Sequence, residues 1–72
     1  MDRVTLQIEL EREEDGRWLA AIPELRGVMA YGDTEADALR AVRTLALRVI
    51  ADRIEARELP ATFEGLSFAG AA

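Results

Sequence analysis

The stretch DTEADALRAVRTLALRVIADRIEAR, residues 33–57, decides the fold, because it predicts a single long helix. It contains no Gly or Pro and is rich in Ala, Leu and Arg, which are strong helix formers. The predicted helix runs from about Thr34 to about Arg57. Thr34 is the expected N-cap, since its hydroxyl can accept from the free N–H groups of the first turn. Asp37, three residues later, can complete a capping box with it.

The apolar surface of this helix is wider than packing on one sheet requires. At 100° per residue the apolar side chains cover about 200°, whereas one sheet needs little more than about 100°. Leu47 and Ile54 form the surplus edge, with Ile50 beside them. Leu47, Ile50 and Ile54 are therefore candidates for an oligomer or partner interface. The alternative is that the C-terminal segment folds over them.

Three strands are predicted before the helix. VTLQIELERE, residues 4–13, alternates apolar and polar side chains, which is typical of a half-buried strand. Asp15-Gly16 suits a tight hairpin turn, and RWLAAI, residues 17–22, is the returning strand. Pro23 ends that strand, and VMAY, residues 28–31, is the third. Trp18, Ala20 and Ile22 are expected on the buried face of the second.

One further strand is predicted after the helix. Pro60 stops the helix, and TFEGLSFA, residues 62–69, forms a short fourth strand. With short connections, this strand runs parallel to the first and is joined to the meander through the helix. The predicted fold class is α+β in the order β-β-β-α-β. It is an antiparallel three-stranded meander with one long helix on a face, and a single domain over residues 1–72.

Composition limits the classes of function. The chain has 72 residues and a net charge of −5, without Cys or His, and all nine of its basic residues are Arg. Disulfides, thiolate metal sites and histidine general bases are thereby excluded. A domain of this size is marginally stable alone, so oligomerisation is expected. No secretory signal or membrane span is visible, and a cytoplasmic location is expected.

The acidic residues before and within the first helical turn raise the question of a metal or catalytic site. Asp33, Glu35 and Asp37 alternate, but the further oxygen ligands and closing glutamate of a calcium loop are missing. Glu9 and Glu11 on the polar face of the first strand have no predicted cleft around them. We therefore expect no catalytic residue, metal ligand or cofactor, and the chain is not expected to be an enzyme.

The segment GRWLAAIPELRGVMAYGDTEADALRAV, residues 16–42, resembles the N-terminal domain of HicB-family antitoxins. The shared pattern joins an aromatic strand, a proline, an acidic residue, a leucine and a glycine to GDT and an Ala-rich helix. The matching positions are Trp18, Pro23, Glu24, Leu25, Gly27, Gly32, Asp33, Thr34 and Ala38. The resemblance implies a partial RNase H-like fold without the catalytic carboxylates. It also implies binding to HicA, a small RNA-cleaving toxin.

Many HicB proteins carry a C-terminal helix-turn-helix or ribbon-helix-helix domain, which has no counterpart before Ala72, so direct DNA binding is not expected. Two hypotheses follow. The first is a HicB-like interaction domain of the antitoxin type, which neutralises a small basic HicA-like ribonuclease. The net negative charge of the chain suits such a basic partner. The alternative is a homo-oligomeric binding domain, dimeric or higher, with an unknown ligand or partner and no cognate toxin.

Overall fold

A computed structural model describes residues 2–60 and 63–70 of the chain. It contains five strands and one helix, whose bounds are β1 Asp2–Gln7, β2 Glu9–Arg12, β3 Trp18–Ala21, β4 Met29–Gly32, α1 Glu35–Glu55 and β5 Phe63–Ala69. Strands β2, β3 and β4 form an antiparallel sheet, and β1 pairs in parallel with β5. The predicted α+β class, the meander and the parallel first and last strands are confirmed.

The predicted first strand is divided into β1 and β2, which meet at Ile8. The N–H of Ile8 donates to the carbonyl of Ala69 at 2.9 Å, which extends the pairing with β5. The N–H of Gln7 points to the other edge and donates to Glu24 Oε2 at 3.1 Å. From Glu9 onward the chain pairs with β3 instead. The chain changes partner at Ile8, and a continuous apolar alternation cannot reveal such a change.

Strand β5 begins at Phe63, and the predicted start at Thr62 lies outside the described residues. Its register with β1 places Val4 beside Leu66 and Leu6 beside Phe68. The Thr5 and Ser67 hydroxyls lie 3.3 Å apart on the same ribbon. The apolar side chains of the β1–β5 strand pair lengthen the core. The molecule is accordingly elongated, with overall dimensions of 43 × 20 × 16 Å.

Helix α1 covers one face of the antiparallel sheet, chiefly over β3 and β4. Its inward side chains recur at a spacing of four residues, as a helix packed on a sheet requires. The buried core comprises Leu6, Ile8, Ala20, Ile22, Leu25, Val28, Ala38, Val42, Ala46 and Ile50. The core therefore joins the helix, the meander and β1 into one unit.

The N-terminus of α1 confirms Thr34 as the predicted cap, but the predicted capping box is incomplete, because the Asp37 carboxylate bonds Arg40 and not the N–H of Thr34. Thr34 has extended backbone dihedrals, and its Oγ1 accepts from the N–H of Asp37 at 3.1 Å. The Asp37 carboxylate accepts from Arg40 Nη1 at 3.1 Å, so it supports the first turn through an ion pair. Asp33, Glu35 and Asp37 thus lie exposed around a helix start.

We expect Thr34→Ala to lower the free energy of unfolding by about 1 kcal/mol, because one N–H of the first turn loses its acceptor. Urea unfolding followed by circular dichroism measures this loss. Thr44→Ala is the matched control, since the Thr44 hydroxyl only donates to the carbonyl of Arg40 inside the helix. That change should be neutral or slightly stabilising, because Ala is the better helix former. Equal losses in the two variants would contradict the capping role.

The C-terminus of α1 ends in a Schellman motif. The N–H of Glu58 donates to the carbonyl of Arg53 at 2.8 Å, and that of Arg57 donates to Ile54 at 3.0 Å. Arg57 occupies the position that glycine usually takes, with φ 62°. The last helical carbonyls therefore have donors, although Arg57, a residue with a side chain, adopts the left-handed backbone conformation.

We expect Arg57→Gly to raise the free energy of unfolding by about 0.5–1 kcal/mol. Left-handed backbone costs a side-chain-bearing residue about 1–2 kcal/mol, and the greater freedom of glycine in the unfolded chain offsets part of this gain. The neighbouring Glu58→Gly serves as the control and should destabilise, because Glu58 has no positive φ. Urea midpoints of the two variants should move in opposite directions; a loss of stability in Arg57→Gly would refute the argument.

Candidate functional site

The face of the antiparallel sheet that points away from α1 is the first candidate surface. Its two rows of neighbours are Glu9–Ala21–Met29 and Glu11–Leu19–Tyr31. We call these six residues the outer sheet face. Met29, which begins β4, is 54% exposed and Tyr31 is 48% exposed, so two large apolar side chains lie in solvent on the edge strand of the sheet.

Each row of the outer sheet face runs from a carboxylate to a large apolar side chain. Glu9 and Glu11 lie on β2, the half-buried Ala21 and Leu19 on β3, and Met29 and Tyr31 on β4. A shallow depression of about 320 Å³ lies between β2 and β3. The surface thus has an apolar centre and an acidic margin, which is the composition of an interface for a protein with basic and apolar side chains.

The turn between β2 and β3 extends this acidic margin. Glu13, Glu14 and Asp15 follow one another in it, and Arg17 forms an ion pair with Asp15 at 2.8 Å. The hydrogen bond from the backbone N–H of Arg17, and then that from its side chain, lower the pKa of Asp15. The same guanidinium lies 4.4 Å from the centre of the Tyr31 ring. Arg17 is thereby fixed against the apolar centre, and Glu13 and Glu14 keep the margin negative.

The exposed side of α1 is the second candidate surface. We call it the outer helix stripe. It consists of Ala36, Arg40, Arg43, Leu47, Ala51 and Ile54, which follow one another at helical spacings of three and four residues. Leu47 and Ile54 are each 51% exposed. The described part of the C-terminal segment does not cover these two side chains.

Ile50 corrects the sequence-based interface, which groups it with Leu47 and Ile54. It is only 6% exposed and belongs to the core with Val42 and Ala46. The reason is angular: Ile50 lies one turn after Ala46 on the inward side of the helix, whereas Leu47 is displaced by 100° from Ala46. Leu47 and Ile54 remain as the surface members of the predicted set.

Two shallow depressions flank the outer helix stripe. The one near its N-terminal half has a volume of about 370 Å³ and is lined by Ala36, Leu39, Arg40, Arg43, Thr44 and Leu47. The other, of about 430 Å³, lies where the chain leaves the helix and is lined by Ile54, Arg57, Leu59, Pro60 and Phe63. Both ends of the stripe can therefore accept side chains from outside.

The acidic residues singled out by the sequence do not converge. In residues 2–60 and 63–70, no group of three or more Asp or Glu side chains is arranged to hold a metal ion. Over the same ranges, no helix has the length and apolar content that crossing a bilayer requires.

The chain matches no protein-family model, no curated protein and no solved structure in three comparisons.

The sequence reasoning missed most of the outer sheet face. The available signal was the apolar character of the alternate positions on β3 and β4: Leu19 and Ala21 on one strand, Met29 and Tyr31 on the next. In the described residues, the single helix α1 covers one face of this sheet. Apolar residues on both faces of β3 and β4 were therefore the signal for a second, uncovered apolar face.

Proposed function

We propose that this chain is a protein-binding domain of the HicB antitoxin type, which neutralises a small basic ribonuclease by direct contact. The observation that carries the proposal is the outer sheet face, where exposed Met29 and Tyr31 on β4 lie across β3 from the carboxylates of Glu9 and Glu11 on β2. Large apolar and aromatic side chains supply most of the binding free energy in interfaces. The acidic margin selects a basic partner and accelerates its association.

Two further observations support the proposal. With β1 and β2 counted as one divided strand, the β-β-β-α-β order and the parallel pairing of β1 with β5 are the fold that the HicB resemblance implies. Glu24 and Gly32, which belong to the resembling segment, both have structural roles. Glu24 accepts from the N–H of Gln7 where β1 passes into β2, and Gly32 allows β4 to approach α1. Two residues of the resembling segment therefore contribute directly to the packing of the fold.

The test is affinity capture of the tagged chain from its own host, followed by an RNA-cleavage assay. We expect one small basic protein to co-purify, and its RNA cleavage to stop when one equivalent of this chain is added. Reversing two carboxylates of the outer sheet face, in Glu9→Arg with Glu11→Arg, should abolish the co-purification. Both side chains are exposed, so the fold should survive the change.

A charge-matched control separates this face from overall charge. Asp52→Arg with Glu64→Arg makes the same change in net charge at exposed positions on α1 and β5, away from the outer sheet face. The control should capture the basic protein as well as the unchanged chain does. If both double variants lose it equally, the negative charge of the whole chain governs binding, and the outer sheet face is not the contact surface.

A second candidate function is a homo-oligomeric binding domain without a cognate toxin. The exposed Leu47 and Ile54 on the outer helix stripe favour it, because a second copy can cover them. In this case the capture experiment would return only the chain itself, in a defined oligomer, and no ribonuclease.

A further inference from the structure

We infer that two copies of this chain pair through the outer helix stripe, with their α1 helices antiparallel. In this pair Leu47 packs between the partner's Leu47 and the partner's Ala51, and Arg40 faces the partner's Glu55. The inference concerns a different surface from the outer sheet face. It uses only the chain itself. It deepens the second candidate function, which rests on the same Leu47 and Ile54, and it is independent of the antitoxin-type proposal.

The apolar part of the stripe suits a helix partner. Leu47 and Ile54 are two turns apart on the same side of α1, with the small side chain of Ala51 between them. A large side chain next to a small one gives a projection and a recess, which helix pairs use to interlock. Leu47 lies near the middle of the 21-residue helix, so a symmetric pair centred close to it contacts both halves of α1.

The charges along the helix decide the orientation. Arg40 and Arg43 lie on the N-terminal half of the stripe, whereas Glu55 ends the helix and Glu58 follows it. A parallel pair would place Arg40 and Arg43 against the same residues of the second copy and bring like charges together. An antiparallel pair places Arg40 against Glu55 at the other end, while Arg43, whose guanidinium lies 5.9 Å from the centre of the Phe68 ring of its own chain, takes no part in this ion pair. The two helix dipoles then also oppose each other favourably.

Arg40 can accept a second carboxylate. One of its Nη atoms contacts Asp37 at 3.1 Å, but its side chain is 74% exposed. A guanidinium carries five donors, so those not used by Asp37 remain available to the partner's Glu55. Arg43 lies on the other side of the stripe, where its aliphatic stem can cover the partner's Ile54. Arg48, Asp52 and Arg53 lie beside the stripe and not along it.

A second copy is also the occupant that the size of the chain favours. A domain of 72 residues buries a smaller share of its surface than a larger domain does, about 60%, and therefore gains stability from association. Helix α1, at 21 residues, is about 31 Å long, which is enough for several turns of contact between two helices. The depressions at the two ends of the stripe then face each other across the pair, each receiving side chains from the opposite half.

Sedimentation of the purified chain over a range of concentrations tests the pairing. We expect a species of twice the 8.0 kDa chain mass, with a dissociation constant raised at least tenfold in Leu47→Glu and in Ile54→Glu. Tyr31→Glu on the outer sheet face is the control and should leave the constant unchanged. A chain that stays monomeric up to about 1 mM, or a dimer that Leu47→Glu does not weaken, would overturn the inference.

The ion pair is tested by exchanging its charges. Arg40→Glu alone and Glu55→Arg alone should each weaken the dimer several-fold, since each places like charges opposite one another twice in a symmetric pair. The double variant Arg40→Glu with Glu55→Arg restores the opposite charges and should recover most of the affinity. Additive weakening in the double variant would show that these two residues do not meet.

Orientation is tested by single cysteines, since the chain has none of its own. In an antiparallel pair centred near Leu47, Leu47→Cys should form a disulfide with itself under mild oxidation. Arg40→Cys and Ile54→Cys should cross-link to each other in a mixture and little within either variant alone. Self-cross-linking of all three variants would indicate parallel helices and would overturn the proposed orientation.

Discussion

We expect Gly32→Ala to destabilise the protein by about 3–5 kcal/mol, a large part of the roughly 4–11 kcal/mol available to a chain of this size. Gly32 ends β4, directly beneath the first turn of α1. A Cβ at this position would lie 2.8 Å from the carbonyl carbon of Asp37 and 2.9 Å from the Cα of Ala38. Both obstructing groups are backbone, so no side-chain rotation relieves the clash.

The cost of Gly32→Ala also includes packing lost between α1 and the sheet. Moving α1 away from β4 to admit a methyl group would also separate Ala38 and Val42 from the sheet, and both are fully buried. The expected result is a large fall in the urea midpoint, with circular dichroism at low temperature showing whether the folded state persists. A variant as stable as the unchanged chain would mean that the close approach of β4 and α1 does not exist.

Gly27→Ala is the matched control for this prediction. Gly27 has φ +78°, but a Cβ there would meet nothing within 4 Å. Its cost is therefore backbone strain alone, about 1–2 kcal/mol. Gly32 is not among the glycines with a positive φ, so the loss there is steric and should exceed the strain cost at Gly27. A loss at Gly32 no larger than that at Gly27 would contradict the clash with the helix above it.

The second large effect is expected for Leu6→Ala, with a loss of about 3 kcal/mol. Leu6 is only 2% exposed and lies beside Phe68 in the pairing of β1 with β5. Its removal forfeits the transfer free energy of the side chain and leaves a cavity between the two-stranded ribbon and the core. A two-stranded ribbon is marginal alone, so β5 should also lose protection from hydrogen exchange.

Leu47→Ala removes the same atoms from a half-exposed side chain and serves as the control. Measured at a concentration where sedimentation shows monomer, it should change the free energy of unfolding by less than about 0.5 kcal/mol. Equal losses at Leu6 and Leu47 would contradict the assignment of Leu6 to the core. Retained protection of β5 in Leu6→Ala would show that this strand is held by contacts other than those with β1.

Helix α1 could be predicted because it rests on local and periodic signals, and the parallel pairing of the first and last strands could be predicted because short connections determine the strand directions. The cap at Thr34, the absence of Gly and Pro, and the spacing of Ala38, Val42 and Ala46 all lie within the helix itself. The change of partner at Ile8 could not be predicted in this way. It depends on Ala69 and Glu24, which are distant in sequence, and the side chains of residues 4–10 alternate without interruption across it.

The candidate surfaces were predictable only in part. Leu47 and Ile54 lie beyond the width of helix that one sheet can cover, so periodicity alone reveals them. The outer sheet face requires the register of three strands, which places Glu11, Leu19 and Tyr31 in one row. Strand spacing in the sequence does not supply that register, because the length and conformation of the turns determine it.

The two surfaces lie on opposite layers of the same domain, which allows both to be occupied at once. A dimer formed through α1 leaves the outer sheet face of each copy open. Each dimer would then present two acidic faces with apolar centres. If both proposals hold, this arrangement would provide two equivalent sites for a basic protein without any new contact between the copies.

The measurement that tests the central claim most directly is the affinity of the captured basic protein for three forms of this chain, by titration calorimetry at fixed salt. The account predicts that Glu9→Arg with Glu11→Arg weakens binding at least tenfold, a loss of about 1.4 kcal/mol or more. Asp52→Arg with Glu64→Arg should bind as the unchanged chain does. Equal affinity in all three forms would contradict the assignment of the outer sheet face as the binding surface.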